Sequence, residues 1–275
     1  MKTVDFSVCT SVYRNDSPEF VRIALDSITT EQTLCPSEVV LVVDGPVPGP
    51  LSDIIKSYHS TEYFHVIWLP ENKGLGNALK LGVENAKYSI IARMDSDDIS
   101  APDRFEKQIK YLEDHPECDI VGGQMTEFID NPDNVVGRRD VPLTNEDIYK
   151  YMKSRCGLNH VTVMFRKDAV LKAGNYQDWF WNEDYYLWVR MMLAGCKFAN
   201  LPDVLVNVRS GKDQYARRGG MRYFKSEEGI QRLMLKNHLV SFARYLFNVS
   251  ARLLVQVLMP NWLRGFVFQK LFRKY

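Results

Sequence analysis

The apolar positions change their period repeatedly along the first half of the chain. Continuous apolar runs of strand length occur at VDFSVCTSVY (4–13), SEVVLVVDG (37–45), YFHVIWLP (63–70) and YSIIARMD (88–95). Between them lie segments whose apolar residues recur every three or four positions, the helical spacing. SPEFVRIALDSITTEQ (17–32) opens with Ser17 as a helix N-cap and Pro18 at the first helical position. LSDIIKSYHS (51–60) reads as a short helix, and KGLGNALKLGVENAK (73–87) places apolar side chains at 75, 78, 79, 83 and 86. APDRFEKQIKYLEDH (101–115) puts Phe105, Ile109 and Leu112 on one helical face, and a further strand follows at 119–129. This alternation predicts an α/β fold with a mixed, mostly parallel sheet, helices on both faces and right-handed crossovers. Beyond 130 the pattern predicts a helix near 144–154, a strand at 160–166 and a helix over 183–195. Ligands in such sheets bind outside the carboxyl ends of the strands, where Asp44, Asp95 and the 10–15 loop fall.

The C-terminal pattern is different. From 239, Arg244, Asn248, Arg252 and Gln256 recur every four residues, with Phe242, Leu246, Val249 and Leu253 on another face. Pro260 breaks this helix, and a second is predicted from about Trp262, mixing Phe266, Phe268 and Leu271 with Arg264, Lys270 and Arg273. Residues 229–275 hold eight Lys or Arg and no Asp or Glu, whereas the whole chain of 275 residues has a net charge of only +1. A basic helix of this kind suits an anionic membrane surface. The alternative is that its apolar stripe packs on the body or on a second copy in a homodimer. The chain is thus read as a body, 1–220, and a basic helical foot, 221–275.

Composition adds exclusions. Five scattered cysteines without a CxxC pair indicate neither a disulfide framework nor a zinc cluster and fit a reducing cytoplasm. Neither a signal peptide nor an apolar run of membrane-spanning length is read from the sequence. No nucleic-acid-binding pattern is present.

Three carboxylates fall within ARMDSDDIS (92–100): Asp95, Asp97 and Asp98. Helix capping accounts for Asp103 and can extend to Asp98, but not to Asp95 and Asp97, which lie upstream at a strand end. Carboxylates two apart on extended chain can converge on a hard cation, Mg²⁺ or Mn²⁺, that also binds phosphate. A phosphate-side partner is ENKGLGNALKLG (71–82), where Gly74 and Gly76 open a helix with Asn77 and Lys80 one turn in. Glycines before a helix are also ordinary loop punctuation.

SVCTSVYRND, VLVVDGP, ENKGLGNALKLG, ARMDSDD and NEDYYLWVRM occur in that order. The ordered set resembles the family-2 glycosyltransferases of GT-A fold over about residues 4–220. NHVTVMFRK, NEDYYLWVRMMLAG, VNVRSG and YARRGG resemble, more narrowly, the inverting β-glycosyltransferases of bacterial O-antigen, capsule and exopolysaccharide assembly. The resemblance implies that Thr10, Ser11, Tyr13 and Arg14 line the nucleotide pocket and that Asp44 contacts uracil. It places Asn72, Gly74, Asn77, Lys80, Arg93 and Ser96 along the donor, and Asp97 with Asp95 on the metal. Asp184 becomes the catalytic base with Glu183 beside it. Asp44 is followed by Gly45-Pro46 where many relatives have a second acid. The family resemblance implies a GT-A catalytic domain over 1–220, with 1–98 a nucleotide-sugar-binding half and 99–220 an acceptor-binding half, and a UDP-sugar donor; the narrower one implies a lipid-diphosphate-linked saccharide acceptor at the cytoplasmic face of the membrane. A hexose, glucose or galactose, would be placed β1,3 on GlcNAc or GalNAc.

The residues carry independent weight on these roles. Asn182-Glu183-Asp184 is equally a helix start. Trp181 and Tyr185 offer flat faces for an acceptor sugar, although aromatic clusters also build cores. His160 can contact metal, diphosphate or acceptor, or pack as a hydrogen-bonded core histidine. Arg209, Arg217 and Arg218 can clamp phosphate oxygens, and the loop 210–220 can close over the donor. Two rivals remain, a nucleotidyltransferase and a non-catalytic sugar-nucleotide or membrane-binding protein. TSVYRND lacks the glycines of the first. The retained acidic pairs argue against the second.

Overall fold

The structure is a computed structural model that describes residues 4–59, 61–211 and 219–259. Four parallel strands form its first half: β1 (Ser7–Val12), β2 (Glu38–Val43), β3 (Phe64–Trp68) and β4 (Ile90–Arg93). All six residues of β2 are buried, as a strand covered on both faces requires. The helices between them are α1 (Pro18–Ser27), α2 (Gly49–His59) and α3 (Leu75–Asn85). Ser17 sits at the α1 N-cap as expected, but its side chain makes no capping bond and the helix ends five residues early, at Ser27.

The second half comprises β5 (Ile99–Ser100), α4 (Arg104–Asp114), β6 (Ile120–Phe128), β7 (Val135–Arg139), α5 (Asn145–Met152), β8 (Met164–Arg166), α6 (Lys167–Lys172), α7 (Glu183–Leu193) and β9 (Phe198–Arg209). Residues 160–166 are not one strand. His160–Thr162 form a single 3-10 turn and only Met164–Arg166 pair, antiparallel to β4. The twelve-residue β9 is not apparent from periodicity, because Pro202 and Asp203 interrupt its apolar pattern. One sheet results, in the order β3-β2-β1-β4-β8-β6-β9-β5, with β7 beside β6. Because β9 runs parallel to β6, its end at Arg209 reaches the same edge as the ends of β1 to β4.

Two apolar layers sandwich the sheet. One joins α1, α2 and α4 through Leu25, Leu51 and Phe105; the other joins α3, α5 and α7 through Leu79, Ile148 and Trp188. Helices α8 (Met221–Lys236) and α9 (Phe242–Arg252) follow, and α9 continues as a wider π-type turn, Leu253–Leu258. The helix expected from Trp262 lies outside the described residues.

Candidate active site

The carboxyl ends of β1, β2 and β4 and the start of α3 meet at one edge. Asp44, buried, accepts the backbone N–H groups of Lys73 (2.7 Å) and Gly74 (2.9 Å), while Asn72 donates to the Asp44 carbonyl at 3.1 Å. Asp44 therefore anchors the loop that starts α3, and any contact with a base would be a further role. Gly74 caps α3 at φ +85, a conformation that favours glycine. Gly76 serves packing: a Cβ there would lie 2.8 Å from the Gln177 carbonyl oxygen. Asn77 turns its amide back to the Lys73 carbonyl, and Lys80 is exposed on the next turn. On β1, Thr10 is buried and Ser11, on the opposite face, is half-buried. Tyr13 and Arg14 are exposed in the loop beyond.

The acidic corner contains one residue that pattern reading did not single out. Asp16 accepts the Tyr13 backbone N–H and the Ser96 hydroxyl, each at 3.0 Å, and so joins the β1 loop to the loop after β4. Its neighbour Ser17 drew attention to the helix start, which hid the acid. Asp97 is exposed to the cleft, yet crowding by protein and then the charges of Asp95 and Asp16 push its pKa up to about 6. Asp95 pairs with the Arg93 guanidinium. Asp98 has no place in a cation site: it is buried, accepts the Arg209 backbone N–H at 2.8 Å, and is held well above the usual carboxylate range by burial and its two acidic neighbours. It fastens β9 to the loop and caps no helix.

Arg209 lies at the same corner. Its guanidinium lies 3.7 Å from the Phe20 ring centroid and 4.7 Å from that of Phe128, and donates to the Asp97 carbonyl at 3.1 Å. These contacts tie it to the acidic loop, where its reading as a phosphate clamp expects it. Arg217 and Arg218 lie outside the described residues.

The second acidic pair opens α7. Asn182 makes no capping bond from its side chain, which instead donates to Ser226 at 3.1 Å, so capping does not account for the segment. Burial, then the charge of Asp184, pushes the Glu183 carboxyl up to about 7; Arg93 draws it back. Glu183 thus lies within electrostatic reach of both Arg93 and Asp95, which brings the second acidic pair near the first.

The aromatic residues divide. Tyr185 is buried in the core and its hydroxyl donates to the Met152 carbonyl at 2.5 Å, so the expectation that it meets the acceptor is wrong. The helical period places position 185 on the inner face of α7. Trp181 is 51% exposed beside the acids, stacked on Phe180 at 4.5 Å. His160 hydrogen-bonds the Tyr176 hydroxyl at 2.9 Å, and burial holds its pKa well below the usual histidine value. Its ring also lies 5.6 Å from that of Tyr176 and 5.9 Å from that of Trp188.

The model of the glycosyl transferase family 2 matches residues 7–180, more than half of the chain. This chain belongs to glycosyl transferase family 2. It is 40% identical to the amylovoran biosynthesis glycosyltransferase AmsE of Erwinia amylovora over 96% of its own length and 98% of that protein. It is 33% identical, over 99% and 98% of the two chains, to the UDP-Gal:alpha-D-GlcNAc-diphosphoundecaprenol beta-1,3-galactosyltransferase of Escherichia coli. Among solved structures, a mannosyltransferase of Pyrobaculum calidifontis in complex with GDP-Man and Mn²⁺ superposes with a TM-score of 0.63. That pair covers 96% and 78% of the two chains at 16% identity, which is a likeness of fold. The family-2 transferase thus has the GT-A-like fold, and its relatives serve exopolysaccharide and O-antigen biosynthesis.

The acidic corner fits a hard divalent cation. Asp95, Asp97, Asp16 and Ser96 bring only oxygen donors, and their mutual repulsion is the kind a bound cation relieves. No group of three metal-capable side chains is assembled among the described residues. One or two carboxylates completed by substrate phosphates is the usual arrangement for Mg²⁺.

Proposed function

We propose that this enzyme moves a hexose, glucose or galactose, from a UDP-sugar to GlcNAc- or GalNAc-diphosphate-lipid, with inversion and in a β1,3 linkage. The observation that carries the reading is the electrostatic proximity of Glu183, beside Asp184, to Asp95 and to its partner Arg93. The printed name of the Escherichia coli relative supports the donor and acceptor classes.

Asp95 and Asp97 would hold Mn²⁺ or Mg²⁺, which when bound supplies Lewis-acid stabilisation of the departing diphosphate. The start of α3, held by Asp44, offers backbone N–H groups to phosphate oxygens. Asp184 takes the proton of the acceptor hydroxyl as that oxygen attacks, a role worth about 10²–10⁴-fold. Trp181 offers its exposed indole face to the acceptor ring. A single base opposite the diphosphate gives one displacement, and hence inversion.

A lipid-linked acceptor would put the enzyme on the inner face of the cell membrane, and the orientation of α9 supports this reading. Asn248 donates to Gln231 (2.8 Å) and to the Lys153 carbonyl (2.9 Å), while Arg252 and Gln256 both bond Glu227. The polar stripe thus faces the body. Phe242, Phe247, Leu254 and Leu258 are 63%, 69%, 57% and 67% exposed. No helix among the described residues is long and apolar enough to cross a membrane. Residues 1–98, 99–220 and 221–275 would then serve donor, acceptor and membrane.

A panel of UDP-sugars with synthetic GlcNAc- and GalNAc-diphosphate-lipids, scored for UDP release with and without Mn²⁺, tests the reading. Acceptor-dependent release that needs the cation and yields a β product is expected. An α product, or release indifferent to acceptor, overturns it.

A further inference from the structure

The segment that leads into α7 is fastened to α8. The Trp179 indole N–H donates to the Ser226 carbonyl at 3.0 Å, the Ser226 hydroxyl to the Phe180 carbonyl at 2.8 Å, and the Asn182 amide to the Ser226 hydroxyl at 3.1 Å. The Trp179 ring also stacks on Tyr186 of α7 at 3.9 Å. These contacts bring the first turn of α8 to the aromatic pair beside the acids. The Arg222 guanidinium lies over the Phe180 ring, 4.0 Å from its centroid, and Phe180 stacks on Trp181 at 4.5 Å. The Tyr223 ring lies 6.5 Å from that of Trp181. Arg222 is exposed and has neither an ion pair nor a hydrogen bond among the described residues. A guanidinium seated on a ring face keeps its N–H donors for another acceptor, and the ring has already restricted the side chain.

We propose that Arg222 is a specificity-determining residue that binds the diphosphate of the lipid-linked acceptor while Trp181 carries the acceptor's sugar ring. The inference rests on the acceptor class given under the proposed function. Such an acceptor presents a sugar face and, on the anomeric carbon of the same ring, a diphosphate. The structure presents an exposed indole face and, one aromatic contact away, a guanidinium whose fork matches phosphate oxygens. The donor is the other source of a diphosphate. Its place is at the start of α3 and the acidic loop, where Arg209 lies, whereas Arg222 belongs to the helix that follows the acceptor half. The enzyme thereby distinguishes a lipid-diphosphate-linked saccharide from a neutral one bearing the same sugar.

The test compares two acceptors on the full chain, a synthetic N-acetylhexosamine-diphosphate-lipid and a neutral alkyl glycoside of the same sugar. Arg222→Gln is expected to raise the KM for the diphosphate acceptor about tenfold and to narrow the preference for it, as a ratio of kcat/KM values, by the same factor. Arg222→Lys keeps the charge but loses the fork, and is expected to retain part of the preference. Titration calorimetry with UDP separates the two sources of diphosphate, and Arg222→Gln is expected to shift that affinity by less than about twofold. An unchanged preference in Arg222→Gln overturns the inference, whether neither acceptor is affected or both lose equally. A weakened UDP affinity overturns it too, by assigning Arg222 to the donor. A wild-type enzyme without preference for the diphosphate acceptor overturns the proposed acceptor class, and the inference with it.

Discussion

The mouth of the cleft and the C-terminal foot both break the usual rule of what goes where, in opposite senses. At the mouth, polar groups crowd without relief: Asp97 lies beside Asp95 and Asp16, and Arg93 is buried with two unpartnered nitrogens. In the foot the charged groups are paired, although Gln231 Nε2 is buried without a hydrogen-bond partner among the described residues. Arg252 and Glu227 are only 12% and 15% exposed and meet at 2.7 Å, while apolar side chains of α9 point to solvent. Stability alone favours neither arrangement. On the proposed function each would be completed by a further component, a cation with diphosphate at the mouth and an apolar surface at the foot. The difference would then lie in scale, one small ligand against an extended surface.

The largest effects should separate the two acids within the mouth. Asp184→Asn is expected to lower kcat about 10³-fold while leaving Mn²⁺-dependent UDP affinity within about twofold, since a base acts on the acceptor. Asp97→Asn should do the reverse and reduce that affinity about 10²-fold. If Asp184→Asn weakens UDP as much as it slows turnover, the division of labour is wrong.

The pH dependence follows from the same crowding. The Asp97 carboxyl sits at about 6 in the folded chain, above the usual carboxylate value near 3.8, so the folded state holds this proton more tightly than the unfolded one. This group therefore makes the ligand-free enzyme more stable as pH falls from about 6 towards 4, and Glu183 adds the same sign from about 7. Binding runs the opposite way, because a ligating carboxylate must be ionised. Mn²⁺-dependent UDP affinity should fall as pH drops through about 6. Asp97→Asn should raise the melting temperature at pH 7.5 by about 2 °C and flatten its pH dependence. A melting temperature that falls instead would mean Asp97 is not strained by its neighbours.

The foot offers the complementary break. Arg252→Ala should destabilise the chain by about 2 kcal/mol, since it strands Glu227 in a largely buried site. Phe247→Glu and Leu254→Glu should leave thermal stability unchanged and reduce binding to anionic vesicles about tenfold. If the glutamates destabilise as much as Arg252→Ala, the exposed face is covered by protein and the membrane reading of the foot fails.

What the sequence disclosed follows the same line. The β2 run and the helical periods of α3 and α4 were legible because burial writes a period into the chain. The acidic pairs were legible because like charges so close demand an explanation. The orientation of α9 was half legible. The four-residue recurrence of Asn248, Arg252 and Gln256 marked a face, but only the partners on α8, Gln231 and Glu227, show that it points inward. Asp16 was missed, and the loop contacts of Arg209 were not foreseen, because these contacts reach 80 and 112 residues away in sequence, which no local pattern records.

The smallest expected effect sharpens the contrast most directly. Trp181 and His238 share nearly the same unusual backbone, at φ 54 and φ 58. His238 follows the C-cap of α8, where the Leu239 N–H returns to the Met234 carbonyl and a left-handed residue is how helices commonly end. Trp181 ends no helix, and a bulky side chain there is held in a strained conformation beside Glu183 and Asp184. At both positions Gly should be more stable than Ala by about 1 kcal/mol, because only Gly adopts this backbone without cost. Function should separate them. Trp181→Gly and Trp181→Ala should raise the acceptor KM equally, about tenfold, because both lose the indole; neither change at position 238 should alter it. An acceptor KM that follows the backbone change rather than the lost ring would assign Trp181 to shaping the loop instead of binding sugar.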